Sequence, residues 1–192
     1  MKASERRQII LEKLSRAAEP LSASALASQF GVSRQIIVGD IALLRAAGCE
    51  IMASPRGYIT PVAASSAAAS PVAASSAAAS PVSLPQSFYR RRIACSHKSD
   101  QTGEELNILV DEGCRVLDVI IEHPLYGELT GNLMIATRDD VASFLEKSAR
   151  LEAQPLSLLT EGIHLHTIEA PSLSALEQAM DRLAGKGILL KD

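Results

Sequence analysis

The sequence predicts two domains: a small, mainly helical head closed by a β hairpin, then an α+β sandwich with a mixed or antiparallel sheet and helices on one face. Three observations lead there. Helical periodicity punctuated by serine caps and glycine stops fills the first fifty residues. An uncharged Pro-Ala-Ser stretch then interrupts the chain, with PVAASSAAAS twice in succession from Pro61. From Tyr89 onward short apolar runs alternate with amphipathic ones in the order β-α-β-β-α-β-α-β. The 192 residues suffice for one domain or two small ones. The boundaries read as 1–60 for the head, 61–88 for the linker and 89–192 for the body.

In SERRQIILEKLSRA, Ile9, Ile10, Lys13 and Leu14 recur at helical spacing, Ser4 is a candidate N-cap, and Ala17, Ala18 and Pro20 close the segment. Ser22 or Ser24 can cap SASALASQF, whose Ala25, Leu26 and Phe30 are expected to face inward, and Gly31 supplies the C-terminal stop. After a short turn, Ser33 caps SRQIIVGDIALLRAAG, with Ile37, Ile41 and Leu44 on one stripe and Gly48 at its end. Two short helices joined by a glycine-containing turn form a helix-turn-helix. EIMASPRGYIT then reads as two strands about Ser54-Pro55-Arg56-Gly57, a wing.

In such a module the amino-terminal residues of the second helix meet base edges in the major groove, which nominates Ser33, Arg34 and Gln35. Arg34 can fork onto guanine and Gln35 onto adenine. Arg56 at the wing tip suits a phosphate or a narrow minor groove. Arg45, near the helix end, reads as a solvated charge. The alternative is a helical module that binds protein. Charge favours DNA: residues 1–60 carry eight Lys and Arg against five Asp and Glu, a net of +3, whereas residues 89–192 carry eleven against seventeen, a net of −6. Double-stranded DNA is therefore the expected partner of the head. As a flexible coil the linker would reach about 25 Å, so the halves are expected to be tethered rather than rigidly docked.

In the body, YRRRIACSH and RVLDVIIEH read as strands flanking a helix, QTGEELNILVDEG, that Gly113 stops. ELTGNLMIATR follows as a strand, RDDVASFLEKSARLE as a helix capped near Thr137 or Asp139, IHLHTIEA as a strand, SLSALEQAMDRLAGKG as a helix, and ILLKD as a terminal strand. All four histidines fall here. His164 and His166 lie two apart on a strand and so share a face. His97 ends the first strand, and Glu105 lies eight residues on, in the first turns of a helix. If strands one and four are neighbours, His97, Glu105, His164 and His166 converge as three nitrogens and one oxygen, a set suited to Zn, Ni, Fe, Co or Mn. Glu105 could instead close a capping box with Thr102. Cys95 is a softer rival ligand, and His123, within His-Pro-Leu-Tyr-Gly, belongs to a structured turn.

Composition narrows the function classes. With no Trp and 3% aromatic residues, base-stacking platforms for single-stranded nucleic acid are excluded. Three widely spaced cysteines build neither a disulfide framework nor a zinc finger. The charged amino terminus carries no secretory h-region, and the uncharged stretch lacks the Leu, Ile and Phe of a membrane span. A cytoplasmic protein is expected.

The combination of SRQIIVGDIALLRAAG, PRGY, EELNILVDEG, EHPLYGELTG and PLSLLTEGIHLHTIEAP resembles the niacin-responsive repressors of NAD biosynthesis. Those join a winged helix-turn-helix to a 3H domain named for its histidines. The resemblance covers residues 4–60 and about 89–190, and the doubled linker repeat is a departure from it. The family's metal pattern, a His, a Glu eight residues later, then His-x-His, falls on His97, Glu105, His164 and His166. What the resemblance implies is one divalent metal per chain, Ni or Zn foremost, nicotinate as effector, a homodimer, and repression. A pyridine carboxylate could add to an open coordination position, with His123, Tyr126, Thr130 or Arg138 completing its pocket. Two competing functions are a regulator for which the metal is itself the signal and a His3Glu metalloenzyme fused to a DNA-binding head.

Overall fold

A computed structural model describes residues 1–60 and 88–190. Apart from residue 88, the linker expected over 61–88 lies outside the described residues. The head comprises α1 (Ala3–Arg16), α2 (Ala23–Phe30), α3 (Arg34–Ala46), β1 (Met52–Ser54) and β2 (Gly57–Ile59). The body comprises β3 (Tyr89–Ser96), α4 (Thr102–Asp111), β4 (Arg115–His123), β5 (Gly127–Ile135), α5 (Arg138–Arg150), β6 (Ile163–Ala170) and α6 (Leu173–Gly185).

Local chemistry accounts for most of these bounds. Ser22 and Ser33 accept from the backbone N–H of Ala25 and Ile36 and so start α2 and α3. Gly31 ends α2 at a φ of 66°. Thr137 and Asp140 close a reciprocal capping box on α5. Ser4 caps nothing: α1 begins at Ala3, with Lys2 at the N-cap position. Ala25 is exposed, and α2 buries Ala23, Leu26 and Ala27 instead. The wing pairs Ala53 with Tyr58, and Leu21 adds a bridge to Tyr58. Gly57 sits at a φ of 134°, where a Cβ would lie 2.4 Å from the backbone of Leu21; only glycine lets the wing close this tightly.

The body's sheet runs β3-β6-β4-β5 and is antiparallel throughout. Among the described residues the expected terminal strand is one bridge, Leu189 with Cys95, flanked by backbone hydrogen bonds from Ser96 to Ile188 and from Leu190 to Ala94. Alternation along β3 and β6 divides the sheet into two faces. Ile93, Cys95 and Ile168 pack with Leu106, Leu109, Leu176 and Leu183 beneath α4 and α6.

The opposite face corrects the expectation of loose tethering. Ala94, Ile120, Ile163 and Leu165 share one apolar cluster with Ile10, Leu26, Ile37 and Ile41 of the head. Burial of Ile120 and Leu165 there contributes on the order of 1.5–3 kcal/mol each. Arg45 is likewise not a solvated charge. It is 3% exposed, donates to Glu122 at 3.0 Å, and also pairs with Glu128. Burial raises the pKa of the Glu122 carboxyl against the pull of Tyr58 and Arg45. Residues of α3, the wing and β4 thus form one polar node inside an apolar seam, and the described head and body are docked.

Candidate metal centre and DNA-binding face

Strand pairing sets the site. Cys95 lies opposite His164 and Ile93 opposite His166, so both imidazoles of β6 point to the α4 side while Leu165 points to the head. His97 follows β3 on the same parity. Glu105 enters from the first turns of α4, where the helix dipole favours a carboxylate. Thr102 is the first residue of α4 rather than its N-cap, and the cap position, Gln101, makes no side-chain bond; the capping box does not form, and Glu105 turns inward.

The four residues meet. His97 Nε2 lies 2.7 Å from Glu105 Oε2, His164 Nε2 3.2 Å from Oε1, and His166 Nε2 3.4 Å from Oε2. His164 meets His97 and His166 edge to face, with ring centroids 4.9 and 4.8 Å apart. All four are buried, Glu105 to 1% exposure. Each imidazole is oriented by its other nitrogen. Nδ1–H of His97 donates to the Lys98 carbonyl at 2.7 Å, that of His164 to Gly162 at 2.9 Å, and that of His166 to Asp118 at 2.6 Å. With Nδ1 carrying the proton, every Nε2 turns a lone pair inward, toward an anionic carboxylate.

Lone pairs facing an anion in a dry site repel unless positive charge lies among them. Burial works against the Glu105 charge, yet His166 and His164 outweigh it and hold the carboxyl well below its ordinary range. Burial likewise opposes protonation of His97 and His166, and Glu105 overcomes it, so both are raised. His166 Nε2 nevertheless has no hydrogen-bond partner. Cys95 Sγ, Glu105 and His164 offer ligand atoms within 4.8 Å of one another. The Cys95 thiol is pushed well up by burial and by the nearby Glu105 charge, so without a cation it is a protonated neighbour. Protons or one divalent cation can supply the missing charge, and this donor set fits a transition metal.

A cavity of about 450 Å³ opens beside these imidazoles. Its walls are apolar, with Leu106, Val119, Leu133, Phe144 and Leu156, and its polar groups include Asn132, Lys147 and Ser157. None of the residues expected to complete the pocket lines it. His123 and Tyr126 stack on each other in the β4–β5 turn, where His123 Nδ1 accepts from the Leu125 and Tyr126 amides. Thr130 is exposed on β5, and Arg138 is held by Asp111 on the surface. Spacing could not reveal the actual lining, because Lys147 and Ser157 reach it from α5 and a short 3-10 turn (Leu156–Thr160).

On the head, Arg34 and Arg56 are exposed and line one small cleft with Ser24 and His123. Ser33 is engaged as the α3 cap. Gln35 turns the other way and donates to the Thr160 carbonyl of the body at 3.2 Å. Ile36, which the sequence reading missed, is 42% exposed in the same first turn of α3 and could meet a thymine methyl; its exposure was not legible from an apolar letter.

Residues 90–192 match the 3H domain family and residues 6–59 an HTH domain family. The chain is 40% identical over its whole length to "Transcription repressor NadR" of Bacillus subtilis, covering 96% of that protein. It is 37% identical over 98% of its length to "Probable transcription repressor NiaR" of Thermotoga maritima, covering 95% of it. No helix among the described residues is long and apolar enough to cross a membrane. The chain is a DNA-binding repressor rather than an enzyme, and it belongs to the family of two-domain transcription repressors that join a helix-turn-helix head to a 3H domain.

Proposed function

We propose that this chain represses genes of NAD biosynthesis or niacin uptake in the cytoplasm, as a homodimer on operator DNA, in response to nicotinate. One divalent transition metal, nickel or zinc foremost, is held by His97, Glu105, His164 and His166. The observation that carries this reading is the orientation of three imidazoles. Each donates Nδ1–H to a backbone carbonyl and aims Nε2 at one buried carboxylate, and such outer hydrogen bonds fix the tautomer and ring direction that a cation needs. Three imidazolium ions buried around one carboxylate would leave excess positive charge in a dry site. A single metal resolves the charge with the donors already in place.

The adjoining cavity supports a small organic effector. Phe144 lines it, and Lys147 adds a cationic side chain away from the imidazoles, suited to a carboxylate. When bound, the metal would supply a Lewis-acidic position for a pyridine nitrogen or carboxylate. Arg34 and Arg56 contact the operator, and dimerisation places two α3 helices on half-sites.

Gel shifts on the chain's own upstream region, with and without nicotinate and with and without chelator, test the proposal. Operator binding that responds to nicotinate only in metal-loaded protein is expected. Binding that tracks metal and ignores nicotinate makes the metal the signal, and binding indifferent to both overturns the sensing role.

A further inference from the structure

One short segment touches the cavity, the imidazoles and the recognition helix at once. Pro155, Leu156 and Ser157 wall the cavity. Five residues on, the Gly162 carbonyl accepts from His164 Nδ1–H at 2.9 Å and from the His97 backbone N–H at 3.4 Å. Between them, the Thr160 carbonyl accepts from Gln35 Nε2 at 3.2 Å. Gln35 belongs to the first turn of α3, beside Arg34, on the part of the helix that enters a major groove.

The segment is stiff. Thr160 Oγ1 lies 3.1 Å from the Ser157 carbonyl and 2.5 Å from that of Ile163, and Gly162 N–H donates to Ser157 at 2.8 Å. Glu161 is left-handed at a φ of 53°. At Gly162, with a φ of 92°, a Cβ would stand 2.3 Å from the His97 carbonyl oxygen. Ser157 and Thr160 are 6% and 7% exposed. A turn cross-braced in this way moves as a unit: a shift of Leu156 or Ser157 at the cavity wall carries the Thr160 carbonyl with it.

We infer that the segment from Leu156 to Gly162 is the relay between effector and operator, and that the Gln35–Thr160 hydrogen bond is the contact at which the two ligands compete. The Gln35 side chain takes one direction at a time: turned to the Thr160 carbonyl it faces the body, and turned to an adenine edge in the groove it leaves Thr160. An effector that favours one position of the segment therefore shifts operator affinity, and operator shifts effector affinity by the same factor. The inference rests on the reading of the cavity as an effector site, and the test separates the two.

Operator affinity of the metal-loaded full chain is measured by anisotropy with and without saturating nicotinate, and the ratio is the readout. Wild type is expected to show a ratio of about tenfold, within the usual range of coupling. Gln35→Ala is expected to bring it within about twofold of one, whereas a residue that only contacts DNA lowers both affinities alike and leaves the ratio unchanged. Thr160→Val alters no DNA-facing side chain and removes the brace. It is expected to lower the ratio at least about threefold, and Thr160→Ser to restore it, with nicotinate still bound calorimetrically by both. A wild-type ratio of one removes the effector reading and the relay with it. A wild-type ratio preserved in either Gln35→Ala or Thr160→Val overturns the relay alone; if Gln35→Ala no longer binds operator measurably, Thr160→Val decides.

Discussion

Arg45→Ala probes the docking of head on body. The side chain is 2% exposed, and its partner Glu122, 3.0 Å away, is 8% exposed; Glu128, the second partner, is 33% exposed. Truncating one member of a buried pair costs about 3–5 kcal/mol, because the other charge is left without compensation. The more accessible Glu128 adds at most about 1 kcal/mol. Against a domain stability of about 5–15 kcal/mol, such a loss is easily seen in urea unfolding followed by circular dichroism at neutral pH. Replacing both partners, Arg45→Met with Glu122→Leu, is expected to regain more than half of it, since apolar residues of similar volume suit an apolar seam. The pH dependence has a definite sign. Burial raises the Glu122 carboxyl, so its contribution is fullest at low pH and declines as pH rises through its folded value. Arg45→Ala removes what holds the charged form and raises Glu122 further, and its penalty therefore narrows on acidification. A loss below about 0.5 kcal/mol, the range of ordinary surface substitutions, would refute the reasoning and return head and body to independent tethered units.

Gly57→Ala is expected to lose about 1–3 kcal/mol of stability and to weaken operator binding by displacing the wing, as melting and gel shifts would report; unchanged melting would contradict the tight approach to Leu21. Arg34→Ala should weaken operator binding by about 1–3 kcal/mol and relax one base position, whereas Arg56→Ala should reduce the salt slope by about one without altering sequence preference. The Asp140 carboxylate is held below its ordinary range by the Ala136 backbone amide and by Thr137. The α5 capping box thus contributes stability above about pH 4 that is lost as pH falls through the depressed value, and Asp140→Asn should flatten that part of the pH–stability curve. Lys147→Met is expected to weaken calorimetric binding of nicotinate more than that of its uncharged amide; equal effects would remove Lys147 from carboxylate recognition.

What was legible in the sequence followed from local rules. Ser33 was readable as a cap, and Ser22 and Thr137 each as one of two candidates beside Ser24 and Asp139, because capping is a one-turn interaction, and the shared face of His164 and His166 follows from strand period alone. The convergence of His97 and Glu105 on that face required β3 beside β6, which spacing allowed but did not dictate. The rest depends on contacts between distant segments. Arg45 sits at the end of an amphipathic helix like any surface arginine, and only the approach of β4 makes it a buried partner of Glu122. Gln35 reads as a base contact until the turn ending at Thr160 is placed against it. The carbonyls of Lys98, Asp118 and Gly162 that orient the imidazoles are backbone groups with no residue signature. His123 and Tyr126 of the His-Pro-Leu-Tyr-Gly run do not line the cavity beside the imidazoles, because that turn folds against the wing.

Effector sensing in this chain depends on cation binding by His97, Glu105, His164 and His166. Metal content after dialysis, with calorimetric titration of Ni or Zn into chelator-stripped protein, measures it directly for wild type, Glu105→Gln and His164→Ala. One metal per wild-type chain is predicted, with affinity falling as pH is lowered because protons compete for the same nitrogens, and with about 10-fold or greater weakening in each variant. Stoichiometric metal held with unchanged affinity by both variants would contradict it.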